Sequence, residues 1–285
     1  MMDSMPRRSM TGWEWLLPLG AVLALWQAIA WLSPPAILPG PLETLRALGR
    51  LASRADFYRQ LTTTAWRGVV GFGVAMALGI GLGLWMGRRE RAYRFFHPLL
   101  LLATNVPPIA WIALLLIWLG LGDGPPLVVV VITTMPLVAV SVAQGVRELD
   151  PALLEMAHVF DLGRGHTLRH IVLPALAGRT FASALLALGF TWRVLVMAEF
   201  LGSTAGLGYR LSWARQNLDT DQAFAYILVI VALSAVIEYG LLRPLQRRWQ
   251  WEPARHPGER TAPHYHAGKI HTHPPLPDLL LEEEV

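Results

Sequence analysis

Residues 155–174 read EMAHVFDLGRGHTLRHIVLP and gather His158, Asp161, Arg164, His166, Arg169 and His170 between two long apolar runs. A membrane-bound enzyme would want histidines and carboxylates clustered inside the apolar bundle, where pKa values are perturbed. Here they stand in an interruption of the apolar sequence, which reads as a contact surface rather than a reaction centre. A second group, His256, His264, His266, His271 and His273, lies near the C-terminus. Imidazoles at such spacing can bind transition metals. The proline-rich polar sequence around them reads instead as a disordered tail, and no metal site is expected. Inside the apolar runs, Arg193 and Glu199 stand out. No GxxxxGK[ST] pattern occurs, so the chain is not expected to bind or split ATP, and no catalytic residue is assigned. The absence of cysteine excludes disulfides and thiolate metal sites.

The elements that must position these residues are membrane helices. Of 285 residues, 54% are hydrophobic and 15% charged, against about a quarter charged in a soluble domain. The formal charge of +4 comes mostly from arginines between apolar segments, a pattern of cytoplasmic helix ends rather than a nucleic-acid footprint. A span takes roughly 20 apolar residues. Six segments qualify: 15–32, about 68–86, about 98–121, 127–146, about 174–201 and about 224–242. Pro107-Pro108 breaks the ladder of the third. Arg7, Arg8 and the Ala28-Ile29-Ala30 triplet have the look of a signal peptide. The apolar run is longer than a usual h-region, however, and Trp31 follows, so a retained helix is expected.

With both termini inside, three clusters fall on the cytoplasmic side: Arg88, Arg89, Arg91 and Arg94; then Arg147, Arg164, Arg169 and Arg179; then the tail from Arg243. Residues 43–67 resist this rule. They would be external, yet they hold Arg46, Arg50, Arg54, Arg59 and Arg67. Leu45, Leu48 and Leu51 among them predict a short interfacial helix. Between the fifth and sixth spans, Gly206 and Gly208 mark a turn. A short amphipathic helix follows, with Leu207, Leu211 and Ala214 on one side. The organisation expected is a cytoplasmic N-terminus (1–12), a membrane domain (13–248) with a cytoplasmic loop at 148–174, and a cytoplasmic tail (249–285).

Within that loop, Asp150-Pro151 is a helix start: Asp caps free N–H groups and Pro fits the first helical position. Leu153, Met156, Ala157 and Phe160 recur at intervals of three and four, flanked by Glu155 and His158. Asp161 to His166 reads as a turn, and a second short helix is expected from near Thr167 towards Pro174. The apolar face of the first helix either packs back on its own bundle or docks into a cleft on another protein.

The stretch resembles the EAA loop of binding-protein-dependent ABC transporter permeases. That motif runs Glu-Ala-Ala, three residues, Gly, nine residues, Ile, one residue, Leu-Pro. Glu155, Ala157, Ile171, Leu173 and Pro174 fall on it in register. Met156 replaces the first Ala and Asp161 replaces the Gly, with Gly163 two residues late. The resemblance covers about residues 34–250. SPPAILPGPLETLRAL, TTTAWRGVVGFGVAMALGIGLGLWMG and NVPPIAWIALLLIWLGLGDG resemble successive parts of the family. GFTWRVLVMAEFLGSTAGLGY resembles its nitrate, sulfonate and taurine branch.

The resemblance implies an all-α polytopic protein with the type I ABC importer permease fold, in the bacterial inner membrane. It implies a pathway shared with a second permease copy, two cytoplasmic ABC ATPase subunits that bind the ATP and Mg, and a periplasmic binding protein. No cofactor is expected in this chain and no nucleic-acid partner. A small organic anion, sulfonate or taurine-like, is favoured, with nitrate as a further member of the branch. Coupling to the ATPase falls on Leu153, Leu154, Glu155, Met156, Ala157, Phe160, Asp161 and Gly163. Path candidates are Thr104, Asn105, Trp192, Arg193 and Glu199. Burying an arginine in a membrane costs at least about 2.5 kcal/mol. Arg193 therefore has two main readings: it lines the path for an anion, or it is tied to Glu199 or a partner helix. Glu199 matches the family's Ala-Glu pair. The rival class is a secondary transporter, which would want a complete pathway in one chain.

Overall fold

The computed structural model describes residues 16–34, 37–149, 152, 155–156, 159–160 and 162–242. The N-terminal segment 1–12, the loop residues Leu153, Leu154, Ala157, His158 and Asp161, and the tail 249–285 lie outside the described residues. Those that are described form an all-helical chain: α1 (Leu16–Leu32), α2 (Pro41–Ala52), α3 (Ala55–Arg88), α4 (Glu90–Asn105), α5 (Pro108–Leu119) and α6 (Gly124–Arg147). After the loop come α7 (Arg164–Thr167), a π-helical turn (Leu168–Val172), α8 (Leu173–Gly202), α9 (Leu207–Gln216) and α10 (Thr220–Ala235). A further π-helical turn, Val236–Leu242, ends the described chain.

Among the described residues, four helical stretches are long and apolar enough to cross a membrane: Ala55–Arg88, Gly124–Arg147, Gly165–Gly202 and Thr220–Gly240. The six expected segments are all helical here, but the count of six separate spans is not reproduced one for one among the described residues. The third is no single helix: α4 and α5 meet at 94°, and together they make at most a fifth crossing. The cause is Pro107-Pro108. A residue before proline is pushed out of the helical region; Val106 (φ −73°, ψ 123°) and Pro107 (φ −57°, ψ 138°) are both extended. Pro108 then sits at the start of α5, where its missing N–H costs nothing. The first segment forms α1, an apolar helix shorter than the four spans.

Two further expectations are met in part. The short helix expected around Leu45, Leu48 and Leu51 is present as α2, but it does not extend to residue 67. Only α2 is separate, and 55–67 are the opening turns of the 34-residue α3. The second helix of the loop is also not separate. It starts at Arg164 and runs through the π-helical turn into α8. The wider turn precedes Pro174, whose ring would otherwise crowd the carbonyl four residues back.

The core is the pairing of α3 with α6, with α8 packed on the other side of α6. Gly71, Ala75, Gly79, Gly83 and Gly87 recur every fourth residue along α3. They let Val130, Val138, Val142 and Val146 of α6 approach the backbone. A Cβ on Gly83 would lie 2.6 Å from the Ala139 carbonyl oxygen and 2.7 Å from the Val142 Cβ. Pro136 lies inside α6 without interrupting it. At the end where α3 and α6 begin and α8 finishes, α2, α9 and α10 pack around Ala47, Leu51, Phe57, Leu207, Ala214 and Tyr226. This is the α9 end; the opposite one, where 148–170 emerges, is the loop end. Outward faces stay apolar, with Trp66, Ile117, Trp118 and Leu186 all exposed, as lipid or a partner in the membrane would require.

Candidate functional site

A cavity of about 530 Å³ opens where the α4–α5 elbow meets α6 and α8. Thr104, Asn105 and Pro108 form the elbow wall, Thr133 and Ser141 come from α6, and Ser183 and Leu186 from α8. The cavity is open on one side: Asn105 is exposed and Leu186 is 77% exposed. Several of the lining hydroxyls donate to their own helices. Thr104 bonds the Leu101 carbonyl at 2.8 Å, Thr133 the Val129 carbonyl at 2.7 Å and Ser183 the Thr180 carbonyl at 2.9 Å. Their oxygens still present polar edges in an otherwise apolar wall. None of the lining residues carries a charge.

The sequence-predicted path residues separate into three settings. Thr104 and Asn105 line the cavity. Trp192 is buried between α3 and α6, against Gly68 and Leu195, and its indole Nε1 has no hydrogen-bond partner among the described residues. Glu199 is fully buried. Arg193 is exposed on α8 and makes no hydrogen bond or ion pair among the described residues.

Glu199 does not take Arg193 as its partner. Six residues apart on one helix, the two side chains point about 120° apart. The partner is Arg67 of α3, only 3% exposed, whose Nη1 donates to Glu199 Oε1 at 2.7 Å. The same Nη1 reaches Ser203 Oγ at 3.1 Å and the Ala205 carbonyl at 2.8 Å, while Nη2 pairs with Asp123. Glu199 Oε2 accepts from Thr64 Oγ1 at 2.8 Å and from the Gly208 N–H at 3.2 Å. The N–H groups of Gly206 and Leu207 donate to Gln60 Oε1 and Thr64 Oγ1, at 2.7 and 2.8 Å. One carboxylate thus sits at the positive end of α9, where anionic groups are favoured. Gly206, at φ +107°, lies so close that any Cβ there would overlap the Glu199 carboxylate. Sequence reading missed Arg67 because it counted that residue with an external run. The available signal was Gln60, Thr64 and Arg67 on one helical face, three and four residues apart.

Three further arginines at the α9 end have acidic partners. Arg50 pairs with Asp221, Arg59 with Asp56 at 2.8 Å, and Arg210 with Asp56. With Arg67, these pairs take up three of the five arginines that fitted the orientation rule poorly, Arg50, Arg59 and Arg67. A second open cavity, about 370 Å³, is lined by Glu43, Arg46, Arg50, Asp219 and Asp221. The hydrogen bond shared with Asp221, and then burial, pushes the Asp219 carboxyl up to about 6.

At the loop end, Ala152, Glu155, Met156 and Val159 are helical, and the Phe160 N–H donates to the Met156 carbonyl at 3.1 Å. Val159 and Phe160 are 81% and 70% exposed, and Met156 is exposed too. Gly163 lies just before the α7 turn and is exposed. A charged collar anchors the base of this stretch. Glu90 accepts from Arg147 at 2.5 Å and from Arg94 at 2.8 Å, and the Arg147 guanidinium lies 4.2 Å from the Tyr93 ring centroid. Arg179 pairs with Glu148. The rings of His166 and His170 stack at 4.0 Å. Of the sequence-predicted coupling residues, Glu155, Met156, Phe160 and Gly163 are therefore placed on an exposed surface with an apolar side; Leu153, Leu154, Ala157 and Asp161 are outside the described residues.

Comparison with known proteins gives a consistent set of likenesses. Residues 75–249 match the family described as "Binding-protein-dependent transport system inner membrane component". The chain is 30% identical over 251 residues, 87% of its length and 94% of the other's, to a putative aliphatic sulfonates transport permease protein of Escherichia coli. To the taurine transport system permease protein of the same organism it is 29% identical over 252 residues, covering 83% of this chain and 91% of that one. Among solved structures, a chain of a bacterial ABC transporter involved in import of the acidic polysaccharide alginate superposes with a TM-score of 0.62 at 16% identity, covering 82% of this chain and 91% of that one.

Proposed function

The chain belongs to the binding-protein-dependent transport system inner membrane components, and from that membership we propose that it forms half of a pathway importing a small organic anion of the sulfonate or taurine type. As an ABC permease subunit it is not itself an enzyme; hydrolysis of ATP belongs to a separate subunit. A second copy supplies the other half of the path, two ATPases bind at the loop end on the cytoplasmic side, and a periplasmic binding protein delivers the solute at the α9 end. The N- and C-termini are cytoplasmic.

The observation that carries this reading is the half-open cavity at the α4–α5 elbow. It is walled by the elbow, α6 and α8 of one protomer and open where Leu186 is exposed, so a symmetric partner completes it naturally. Its uncharged, hydroxyl-edged wall suits transient passage rather than tight capture. The sulfonate and taurine relatives, alike over most of the chain, support the substrate class. The exposed Met156, Val159 and Phe160 supply the apolar contact through which nucleotide-driven closure of the ATPases shifts the cavity between its two facings.

The test is reconstitution of the chain with its ATPase and binding protein in proteoliposomes, measuring uptake of taurine and ethanesulfonate. ATP-dependent uptake that requires all three proteins is expected. Uptake by this chain alone, with no ATPase present, would replace the reading with a secondary transporter.

A further inference from the structure

We infer that Arg193 is the anion-recognising group of the path, and that two copies of it, one from each protomer, bind a single small oxyanion between them at mid-depth. The inference rests on the importer reading above and deepens it by assigning the residue that selects charge.

Arg193 lies nine residues before the α9 end of α8, about 13.5 Å along the helix axis. That places it well inside an apolar stretch, where an arginine facing lipid is costly. It has no internal alternative. Trp192 and Val194 on either side of it are buried, and the nearest acid along the helix, Glu199, is already held by Arg67, Thr64 and the Gly208 N–H. No described residue offers Arg193 a hydrogen bond or an ion pair.

Its direction follows from helix periodicity. Leu186, seven residues earlier, lines the elbow cavity, and two turns of helix bring the next side chain back to within about 20° of the same bearing. Phe190, three residues earlier, lines the same cavity. Arg193 thus continues the cavity-facing stripe of α8 towards the α9 end, on the side that a protomer leaves open. Nothing in that wall is acidic, so no described residue supplies a counter-ion there. Two guanidiniums facing each other across a symmetric path repel when it is empty and are reconciled by one anion between them. A planar fork of N–H donors matches two oxygens of a sulfonate or a carboxylate, and a cationic solute would be repelled at the same point.

The chain contains no cysteine, so Arg193→Cys gives each copy a single thiol, to be labelled in transporter assembled in membranes with its ATPase and binding protein and compared with wild type labelled in parallel. The thiol is expected to react with the impermeant reagent 2-sulfonatoethyl methanethiosulfonate, itself a small sulfonate. Ethanesulfonate uptake should fall about tenfold or more, the scale of a lost hydrogen-bonded charge. Attaching an aminoethyl group, which returns a positive charge, should restore much of it, while a neutral methylthio group should not. A thiol that stays unreactive, as it would on a lipid-facing or headgroup-bound surface, overturns the inference. So does a neutral variant with unchanged uptake and unchanged preference for anions. If wild-type transporter carries no sulfonate at all, the substrate reading fails instead, and reactivity of the thiol still decides whether Arg193 faces the path.

Discussion

Glu199 and Arg67 form the pair on which the α9 end depends. Both are essentially buried, at 0% and 3% exposure, and they join α3, α8 and the start of α9. Removing one member of a buried pair strands the other charge and costs about 3–5 kcal/mol. Glu199→Gln is therefore expected to lower the melting temperature of the detergent-purified subunit sharply and to reduce the monodisperse fraction. An Arg67→Met, Glu199→Gln double variant should recover part of that loss, because no buried charge is then left unpaired and Asp123, the other partner of Arg67, is 74% exposed; equal stability of wild type and Glu199→Gln would refute the account. Glu199 was legible in the sequence as a charge inside an apolar run. Its partner was not, because Arg67 stands 132 positions away and follows four other arginines. Chain order groups it with them, whereas helical phase separates it.

Elements were easier to read where a single physical rule governs them. Apolar length revealed the spans, and the double proline revealed where the third would break. The angle at that break was not readable. Extended backbone at Val106 and Pro107 ends one helix and starts another, and the packing of α4 and α5 on α6 then fixes the 94° bend. The glycine-rich sequence of α3 allows close packing along its whole length; the structure shows which of the glycines are used. Gly83→Val is expected to destabilise by about 1–3 kcal/mol through overpacking against Ala139 and Val142. Gly81→Ala, two residues away with nothing within 4 Å of its Cβ, should be neutral or slightly stabilising. Thermal unfolding of the two variants side by side checks this; similar losses in both would mean that backbone entropy rather than helix contact explains the glycines.

For the whole molecule, the task is to connect a contact at the loop end with a cavity in the membrane. Phe160 is 70% exposed beside Val159 at 81%. Phe160→Asp should leave insertion and abundance unchanged while severing ATP hydrolysis from uptake in the reconstituted complex. Normal stimulated uptake by this variant would remove Phe160 from the docking face. The loop was legible because its charge and helix-start chemistry interrupt two apolar runs; that its second helix is fused to α8 was not, because Pro174 reads as a stop unless a π-helical turn absorbs it. The fusion has a mechanical consequence. The run Gly165–Gly202 holds 38 residues in one helix, about 57 Å of rod against a hydrocarbon thickness of about 30 Å. Pivoting near its midpoint, such a lever would swing each tip by about 5 Å for a tilt of about 10°. A modest tug on the overhanging arm would therefore reach the Glu199 anchorage, and reach Arg193 at about half the tip's swing, with the π-helical turn at Leu168–Val172 the place along the rod where bending could absorb part of it.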